Sequence, residues 1–219
     1  LQDGTATLYT DILGIEPLRE ELARHMSQGH GGTVNAPDVA ITAGCNAAFC
    51  QAIMALAGPG DNVVLTTPWY FNHQMWLEMQ GISIRTIAAA GGGNALPDPA
   101  DLAAVCDSRT RALVLISPNN PTGAIYPPAL LDRFFEECQR LGIALVLDET
   151  YKDFLPPDTP PHHLFQRDDW RGTLIQLFSF SKSYALTGQR VGSLIAGPDL
   201  IATVEKIQDC ITICAPHLG

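Results

Sequence analysis

Short apolar runs alternate with helical patterns along the 219-residue chain, and this alternation is the feature that most constrains its fold. The runs are apolar throughout rather than at every second residue, which is typical of strands covered on both faces. Strands that alternate with helices favour a mostly parallel sheet between two layers of helices. We therefore expect a three-layer α/β/α fold whose mostly parallel sheet has about seven strands.

The predicted elements follow from apolar spacing and from the turn residues that separate the runs. The predicted strands span residues 39–42, 63–67, 83–88, 112–117, 144–147, 173–178 and 193–196. The predicted helices span residues 17–27, 46–57, 71–80, 99–106, 128–141 and 198–213, with a short one around Tyr184. We divide the chain into an N-terminal segment with a helix, residues 1–35, and a large domain, residues 36–219.

Composition excludes several classes of protein. A hydrophobic content of 46% and a charged content of 16% fit a compact globular chain rather than a disordered one. A formal net charge of −10 argues against binding to nucleic-acid phosphates. We expect a soluble protein without a membrane partner, because no apolar run approaches the roughly 20 residues that span a bilayer. The first residues do not resemble a signal peptide, so we expect a cytoplasmic location.

The cysteines and the paired histidines do not form a recognisable metal motif. Six cysteines are scattered along the chain without a CxxC pair, several of them in apolar helical segments. We interpret them as reduced thiols in the core, where cysteine serves as a small hydrophobic residue. His162 and His163 are adjacent in a proline-rich loop, but no third ligand is near them in the sequence. We therefore predict no metal site.

Two predicted strand ends lead into glycine and aromatic residues, where open α/β sheets place their ligands. Gly44, Cys45 and Asn46 follow the first strand and open a helix, whose free N–H groups favour an anion. This signal is weak alone, because many helices begin with such residues. Tyr70 and His73 follow the second strand, where an aromatic residue fits core packing as well as ligand binding.

Two further strand ends present polar side chains. Asn120 precedes a proline after the strand at 112–117, so its backbone is held extended and its amide is presented rigidly. An ordinary proline turn is the alternative. Asp148 ends an otherwise apolar strand, with Tyr151 shortly after it. A buried carboxylate is unfavourable unless it meets a cation or hydrogen-bond donors, which indicates a binding role.

Lys182 follows the strand at 173–178 in the stretch SFSK, and Arg190 lies eight positions further along. A lone loop lysine is usually a solvated surface residue. Here Ser179 and Ser181 add hydroxyl groups beside it, and the other strand ends add the carboxylate, amide, phenol and helix N-terminus described above. The set matches a ligand with a phosphate, a carbonyl and a basic ring nitrogen.

Pyridoxal 5′-phosphate has all three groups, and proteins attach it to a lysine through a Schiff base. We therefore predict a pyridoxal phosphate site. A Rossmann-like domain that carries an unrelated lysine is the structural alternative.

The chain resembles the class I/II aminotransferases of the fold-type I pyridoxal-phosphate enzymes. The matching segments are TAGCNAAF, TTPWYFNH, SPNNPTG, LVLDETY and SFSKSYALTGQRVG, in the order in which the family has them. The opening YTDILGIEPLREELA is also similar to the segment before the family's first sheet strand. The resemblance covers nearly the whole chain.

The resemblance implies how each residue would meet the cofactor. Lys182 would carry it and, once released by substrate, would move a proton. Asp148 would pair with the pyridine nitrogen, and Tyr70 would stack on the ring. Asn120 and Tyr151 would hydrogen-bond the phenolic oxygen of the ring. We expect the catalytic residues to be Lys182, Asp148 and Tyr70.

The resemblance also implies which residues surround the phosphate. Its ligands would be Gly44, Cys45, Asn46, Ser179 and Arg190, with Ser181 as a further candidate. His73 would lie behind Asp148. Tyr9 stands where the family has a tyrosine that reaches the phosphate of the neighbouring subunit, so the resemblance implies a homodimer. Packing of Tyr9 against Leu13 and Leu18 is the alternative.

The chain also departs from the family pattern. Cys45 and Asn46 replace small or hydroxyl residues common in that turn, so the roles of their side chains stay open. Family members continue into a C-terminal small domain with an arginine for the substrate carboxylate, and this chain stops before it. We therefore expect the cofactor-binding domain of a larger enzyme.

The reaction implied by the resemblance is the transfer of an amino group between an amino acid and an α-keto acid. A lyase of the same fold, such as a carbon–sulfur lyase or an aminocyclopropane-carboxylate synthase, would use the same site. A third alternative is the effector-sensing domain of a transcriptional regulator with a fused helix-turn-helix. The acidic chain would itself be a poor DNA binder.

Overall fold

The central sheet has seven strands in a computed structural model that describes residues 7–89, 96–156 and 159–217. The strands are β1 (Val39–Thr42), β2 (Asn62–Thr67), β3 (Ser83–Ala88), β4 (Thr110–Ile116), β5 (Ala144–Asp148), β6 (Leu174–Ser179) and β7 (Gly192–Ile195). They lie in the order β1–β7–β6–β5–β4–β2–β3. β7 is antiparallel to β1 and β6, and the other adjacent pairs are parallel. The predicted mostly parallel sheet is confirmed.

Helices cover both faces of the sheet, which confirms the three-layer prediction. They are α1 (Glu16–His30), α2 (Cys45–Leu56), α3 (Phe71–Met79), α4 (Leu102–Val105), α5 (Pro128–Leu141) and α6 (Pro198–Thr212). One core cluster joins the sheet to α1, α4 and α5, and a second joins it to α2, α3 and α6. No helix in the described ranges is both long and apolar enough to cross a membrane.

The amphipathic helix α5 shows how the sequence pattern becomes packing. Leu131, Phe134, Phe135 and Cys138 recur at helical spacing and are fully buried against the sheet. Gly142 then ends the helix in the left-handed region, at a φ of +67°, which side chains other than glycine adopt with strain. Truncating Phe134 to alanine should lower the stability by about 3–5 kcal/mol, because the cavity cannot fully collapse.

Three details differ from the sequence-based prediction. Residues around Tyr184 form turns rather than a helix, because Ala185 and Arg190 have φ values of +54° and +56° that a right-handed helix cannot include. The predicted helix at 99–106 is a 3₁₀ turn followed by the four-residue α4. Cys210 is exposed, so the prediction of core thiols is wrong for that residue, whereas Cys45 and Cys138 are buried.

The predicted division into residues 1–35 and 36–219 stays a prediction. Helix α1 lies in the first segment, yet its Leu22 and Met26 belong to the same core cluster as the sheet. Arg19 also links α1 to the first strand, since its Nε donates to the Val39 carbonyl at 3.0 Å. Residues 1–6 and 218–219 of the two predicted segments lie outside the described residues.

Candidate active site

A cavity of about 410 Å³ lies where β4, β5 and β6 end. These strands are parallel, so their carboxyl ends meet at one edge of the sheet, where α/β folds bind ligands. The cavity is lined by Cys45, Asn46, Tyr70, Ile116, Asn120, Asp148, Thr150, Tyr151, Ser179, Ser181, Lys182, Thr187 and Arg190. The structure thus brings most of the predicted site residues to one place.

Asp148, the last residue of β5, lies in the buried wall of this cavity, with its side chain 7% exposed. Its Oδ1 accepts a hydrogen bond from the backbone N–H of Thr150 at 2.9 Å and lies 3.7 Å from the Sγ of Cys45. Its Oδ2 lies 3.7 Å from the Nε2 of His73, which is too far for a direct hydrogen bond. One carboxylate oxygen is therefore held, and the other is left for a ligand.

His73 lies behind Asp148, as predicted, and is buried. Its ring stacks on Phe49 with 3.9 Å between ring centroids. Burial lowers the pKa of His73 to about 4, even though the negative charge of Asp148 opposes this shift. His73 is therefore neutral at neutral pH and leaves the negative charge of Asp148 available to a cationic group in the cavity.

The N-terminus of α2 forms the anion-binding side of the cavity. Gly44 precedes the helix with a φ of +87°, and a Cβ atom there would lie 2.2 Å from the Nη2 of Arg190. Glycine is favoured at this position because its φ of +87° is strained for other residues, whereas the arginine side chain could shift away from an added Cβ. The first N–H groups of a helix have no intrahelical partner, so those of Cys45 and Asn46 are free for an anion.

Arg190 and two serines complete the same side of the cavity. The Nη1 of Arg190 donates to the Thr187 carbonyl at 3.0 Å and lies 3.5 Å from the Oγ of Ser181. Ser179 ends β6, and its Oγ accepts from the N–H of Ser181 at 3.2 Å. A guanidinium group, two hydroxyl groups and a helix N-terminus together suit a phosphate group.

Lys182 extends from the turn after β6 into the cavity. No hydrogen bond or salt bridge joins its side chain to any of the described residues. The chain has two other lysines. Lys152 is buried and pairs with Asp153, and Lys206 is exposed on α6. Lys182 is therefore the lysine whose amine is placed to react with a ligand in this cavity.

Asn120 and Tyr151 lie together on another wall of the cavity. Burial raises the pKa of Tyr151, and Asp148 raises it further, whereas a hydrogen bond with Asn120 opposes the shift. Tyr151 is thus a protonated phenol with a fixed partner. Asn119 builds the turn that presents Asn120, since its Oδ1 accepts from the Thr122 hydroxyl at 2.9 Å.

Tyr70 and Tyr9 have different environments. Tyr70 contacts His73 edge-on, with ring centroids 5.3 Å apart, and its hydroxyl accepts from the Nδ2 of Asn72 at 2.8 Å.

Tyr9 does not line the cavity of its own chain and is 75% exposed. This exposure disfavours the alternative in which Tyr9 packs on Leu13 and Leu18. Its predicted role in a neighbouring subunit stays a prediction.

The sequence-based prediction did not include three lining residues, Ile116, Thr150 and Thr187. Thr150 carried a usable signal, because it lies between Asp148 and Tyr151 in the DETY segment. Ile116 is an apolar residue at the end of β4 and offers no chemical signal. Thr187 begins a short 3₁₀ helix, Thr187–Gln189, just after the turn around Tyr184.

A second cluster of titratable residues lies outside the cavity. His30, Glu149 and His162 are all buried, and each contributes a potential ligand atom within 4.8 Å of the others. The Nε2 of His30 lies 3.0 Å from the Oε2 of Glu149, and its Nδ1 lies 2.9 Å from the Met26 carbonyl. Both ring nitrogens of His30 thus face oxygen atoms of other residues. Gln176 also donates to the same Glu149 oxygen at 2.8 Å.

The hydrogen-bond directions favour a hydrogen-bonded cluster over a set of metal ligands. The Nδ1 of His162 accepts from the N–H of Leu164 at 3.0 Å, so the Nε2 of the neutral ring carries the proton and cannot bind a metal. Burial lowers the pKa of His162 to about 3. Burial alone would raise the pKa of Glu149, but the adjacent histidines and Gln176 lower it to about 2. Since His162 is neutral, we assign this stabilisation to His30 and Gln176.

Comparisons with known proteins agree with this fold. The chain matches the family model for aminotransferase class I and II over residues 1–218. An aromatic aminotransferase of Arabidopsis thaliana is 32% identical over 220 residues, covering 97% of this chain and 54% of that protein. The aspartate aminotransferase of Thermotoga maritima is 28% identical over 214 residues, covering 98% of this chain and 56% of that protein. The chain thus spans little more than half the length of these relatives.

Solved structures give the same result. The Escherichia coli protein YbdL, for which a methionine aminotransferase function has been identified, matches with a TM-score of 0.91 and 25% sequence identity. The match covers 99% of this chain and 57% of that one. The agreement in sequence extends along nearly the whole chain, and the fold is shared. The chain therefore belongs to the class I and II aminotransferase family.

Proposed function

We propose that this chain is the cofactor-binding part of a pyridoxal-phosphate-dependent aminotransferase, which moves an amino group between an amino acid and an α-keto acid. One observation carries the proposal. Lys182, without a bonding partner among the described residues, shares a cavity of about 410 Å³ with a buried carboxylate and an arginine-lined helix N-terminus. The family generally uses this cofactor, and its relatives named above are aminotransferases.

The chemistry of the cavity fits the cofactor group by group. Asp148 has one oxygen without a donor among the described residues, and His73 beside it is neutral, so the pair suits a protonated ring nitrogen. Asn120 and Tyr151 offer hydrogen bonds to the phenolic oxygen of the ring. Tyr70 supplies an aromatic wall for the ring face. When bound, the cofactor supplies an electron sink for the negative charge that develops on the amino acid.

The phosphate would be held on the opposite side of the cavity. Its partners would be the N–H groups at the start of α2, the guanidinium group of Arg190 and the hydroxyl groups of Ser179 and Ser181. Charge-assisted hydrogen bonds of this kind are about twice as strong as neutral ones and fix the position of the bound group. The remote phosphate would thereby orient the reactive end of the ligand toward Lys182.

The Nζ atom of Lys182 would have two tasks. It would hold the cofactor through a Schiff base, and it would then move a proton at the α carbon of the amino acid. Asp148 would keep the ring nitrogen protonated during this transfer, which stabilises the charge that develops. The amino acid and the keto acid are thus the proposed small-molecule partners.

Peptide mapping tests this assignment directly. The protein would be incubated with pyridoxal phosphate, reduced with borohydride and digested, and the pyridoxyl group should be found on Lys182. The variant Lys182→Ala should carry no label. A label on Lys152 or Lys206 in the wild-type protein would contradict the proposal.

The type of reaction is tested by adding an amino acid and then an α-keto acid to the cofactor-loaded protein. An aminotransferase should convert the cofactor absorbance on the first addition and restore it on the second. A lyase of the same fold would release its product without needing the keto acid. Restoration of the absorbance without a keto acid would therefore contradict amino-group transfer.

We further propose that the protein acts as a homodimer in which Tyr9 reaches the neighbouring phosphate site. Its phenol is 75% exposed, so it is free to contact a second copy. Tyr9→Phe should weaken cofactor binding by at most about 1.5–3 kcal/mol, the range for one hydrogen bond to a charged group. Mixing Tyr9→Phe with Lys182→Ala subunits should restore one intact site per hybrid dimer. A monomer in sedimentation experiments would contradict this arrangement.

A further inference from the structure

The side chain of Cys45 points toward the carboxylate of Asp148 rather than away from the site. Cys45 is the first residue of α2, and its Sγ lies 3.7 Å from the Oδ1 of Asp148. The hydroxyl of Thr150 donates to the same sulfur at 3.5 Å. Cys45 is only 9% exposed, so these contacts lie in the wall of the cavity with little access to bulk solvent. A thiol in this position meets both a donor and an anionic acceptor.

The contacts define where the thiol proton points. Because the Thr150 hydroxyl donates to the sulfur, the S–H group of Cys45 is free to donate to Asp148. Burial raises the pKa of the Cys45 thiol well above its ordinary value, and the negative charge of Asp148 raises it further. The sulfur therefore stays protonated and acts as a donor instead of a competing anion.

Asp148 then receives its donors on one oxygen only. The Oδ1 atom accepts the Thr150 N–H and faces the Cys45 S–H. The Oδ2 atom has no donor within hydrogen-bond distance among the described residues, since the Nε2 of His73 is 3.7 Å away. Two contacts on one side of a carboxylate restrict its rotation and leave the other oxygen open.

We propose that Cys45 is a positioning residue, which together with Thr150 holds the Oδ1 atom of Asp148 and so reserves the Oδ2 atom for the ring nitrogen of the cofactor. This role rests on the proposed function, because it names the cofactor as the group that Asp148 meets. The contact between Cys45 and Asp148 is nonetheless a property of the chain without cofactor. The two parts are therefore tested separately.

The contact is tested by thiol alkylation of the cofactor-free protein. Iodoacetamide would be added to wild type and to Asp148→Asn, and the labelling rate of each cysteine would be followed by peptide mass spectrometry. Loss of the negative charge should lower the thiol pKa and speed Cys45 labelling at least about twofold, because each pKa unit changes the thiolate fraction tenfold. Cys50, on the same helix, serves as the internal control. An unchanged ratio of Cys45 to Cys50 labelling would overturn the contact.

The positioning role is tested with the cofactor present. Cys45→Ala removes the donor, whereas Cys45→Ser keeps one, and Cys50→Ala is the matched control. Titration with pyridoxal phosphate should show about two- to fivefold weaker binding for Cys45→Ala, as expected for loss of one weak hydrogen bond. Cys45→Ser should restore binding, and Cys50→Ala should match wild type. The pH dependence of the cofactor absorbance should change in Cys45→Ala alone.

The outcomes separate the two proposals. Equal binding by wild type and Cys45→Ala would overturn the positioning role, and equal weakening in Cys45→Ala and Cys45→Ser would assign Cys45 to packing instead. If wild type binds no pyridoxal phosphate, the proposed function fails, and the role toward the cofactor fails with it. The alkylation result would still show whether Cys45 and Asp148 are coupled.

Discussion

Asp148 and Glu149 are neighbours at the end of β5, yet their carboxylates lie in opposite layers of the fold. Asp148 points toward α2 and α3, where it lines the cavity beside Cys45 and His73. Glu149 points toward α1, where it is fully buried against His30. Both residues are acidic and buried, but their negative charges are balanced differently.

The carboxylate of Glu149 is enclosed and hydrogen-bonded within the protein, whereas the carboxylate of Asp148 faces the cavity. Glu149 receives donors from His30 and Gln176 and has no access to solvent. The Oε1 of Glu149 has no partner among the described residues either, but it is sealed from solvent. Asp148 lines the cavity, its Oδ2 has no donor within hydrogen-bond distance among the described residues, and its neighbour His73 is neutral. A buried carboxylate that accepts hydrogen bonds from within the protein leaves those donors unsatisfied when it is removed, whereas one that faces a cavity beside a neutral histidine is available to a cationic ligand.

The largest expected effect is on catalysis, at Asp148. Asp148→Asn should lower turnover by about 10²–10³-fold, because the charge that stabilises the protonated ring nitrogen is lost. Its thermal unfolding midpoint should change little, since the carboxylate is not part of an internal ion pair. Steady-state kinetics and calorimetry of the same preparation would measure both quantities. A large loss of stability with near-normal turnover would contradict the assignment of Asp148 to ligand binding and would give it a structural role like that of Glu149.

The next effect is on stability, at Glu149. Glu149→Ala should lower the free energy of unfolding by about 2–6 kcal/mol, because it leaves the buried side chains of His30 and Gln176 without their acceptor, at about 1–3 kcal/mol each. Urea unfolding would measure this loss. Glu21→Gln, which removes an exposed ion pair on α1, is the control and should leave the midpoint unchanged. An equally small effect of Glu149→Ala would show that the cluster does not stabilise the fold.

The smallest effect, up to about 2 kcal/mol between pH 6.5 and pH 5, is the pH dependence of stability. The pKa of His162 falls from 6.5 to about 3 on folding, so the unfolded chain binds the extra proton first as the pH decreases. The contribution of neutral His162 to the free energy of unfolding is therefore fully present above about pH 6.5. It is lost as the pH falls toward 3, at up to about 1.4 kcal/mol per pH unit. His73, with a pKa of about 4, acts in the same direction.

Two phenylalanine variants at adjacent positions test this dependence. His162→Phe should flatten the decrease in stability between pH 6.5 and 5, because the titrating group is gone. His163→Phe is the matched control, since His163 is exposed, and its pH dependence should equal that of wild type. Denaturant midpoints at several pH values provide the measurement. Identical slopes for His162→Phe and wild type would assign the acid sensitivity to other groups.

The spacing of apolar residues along the sequence predicted most of the strands and helices. The apolar runs defined all seven strands to within two residues, and the spacing in α5 defined that helix completely. The turn around Tyr184 was predicted wrongly because its helical composition is overridden by the positive φ angles of Ala185 and Arg190. Those angles are imposed where the chain turns back from β6 to β7, which local propensity does not encode.

The sequence by itself determined which polar residues stand at the strand ends, and therefore which chemistry the cavity contains. In a parallel sheet every such end meets at one edge, so Asp148, Asn120 and Lys182 could be grouped without coordinates. The tertiary structure alone decided the contacts between distant side chains. It placed Glu149 against His30, 119 positions away, and Cys45 against Asp148, 103 positions away. Side-chain direction and the packing of the layers determine these contacts, and local sequence periodicity predicts neither of them.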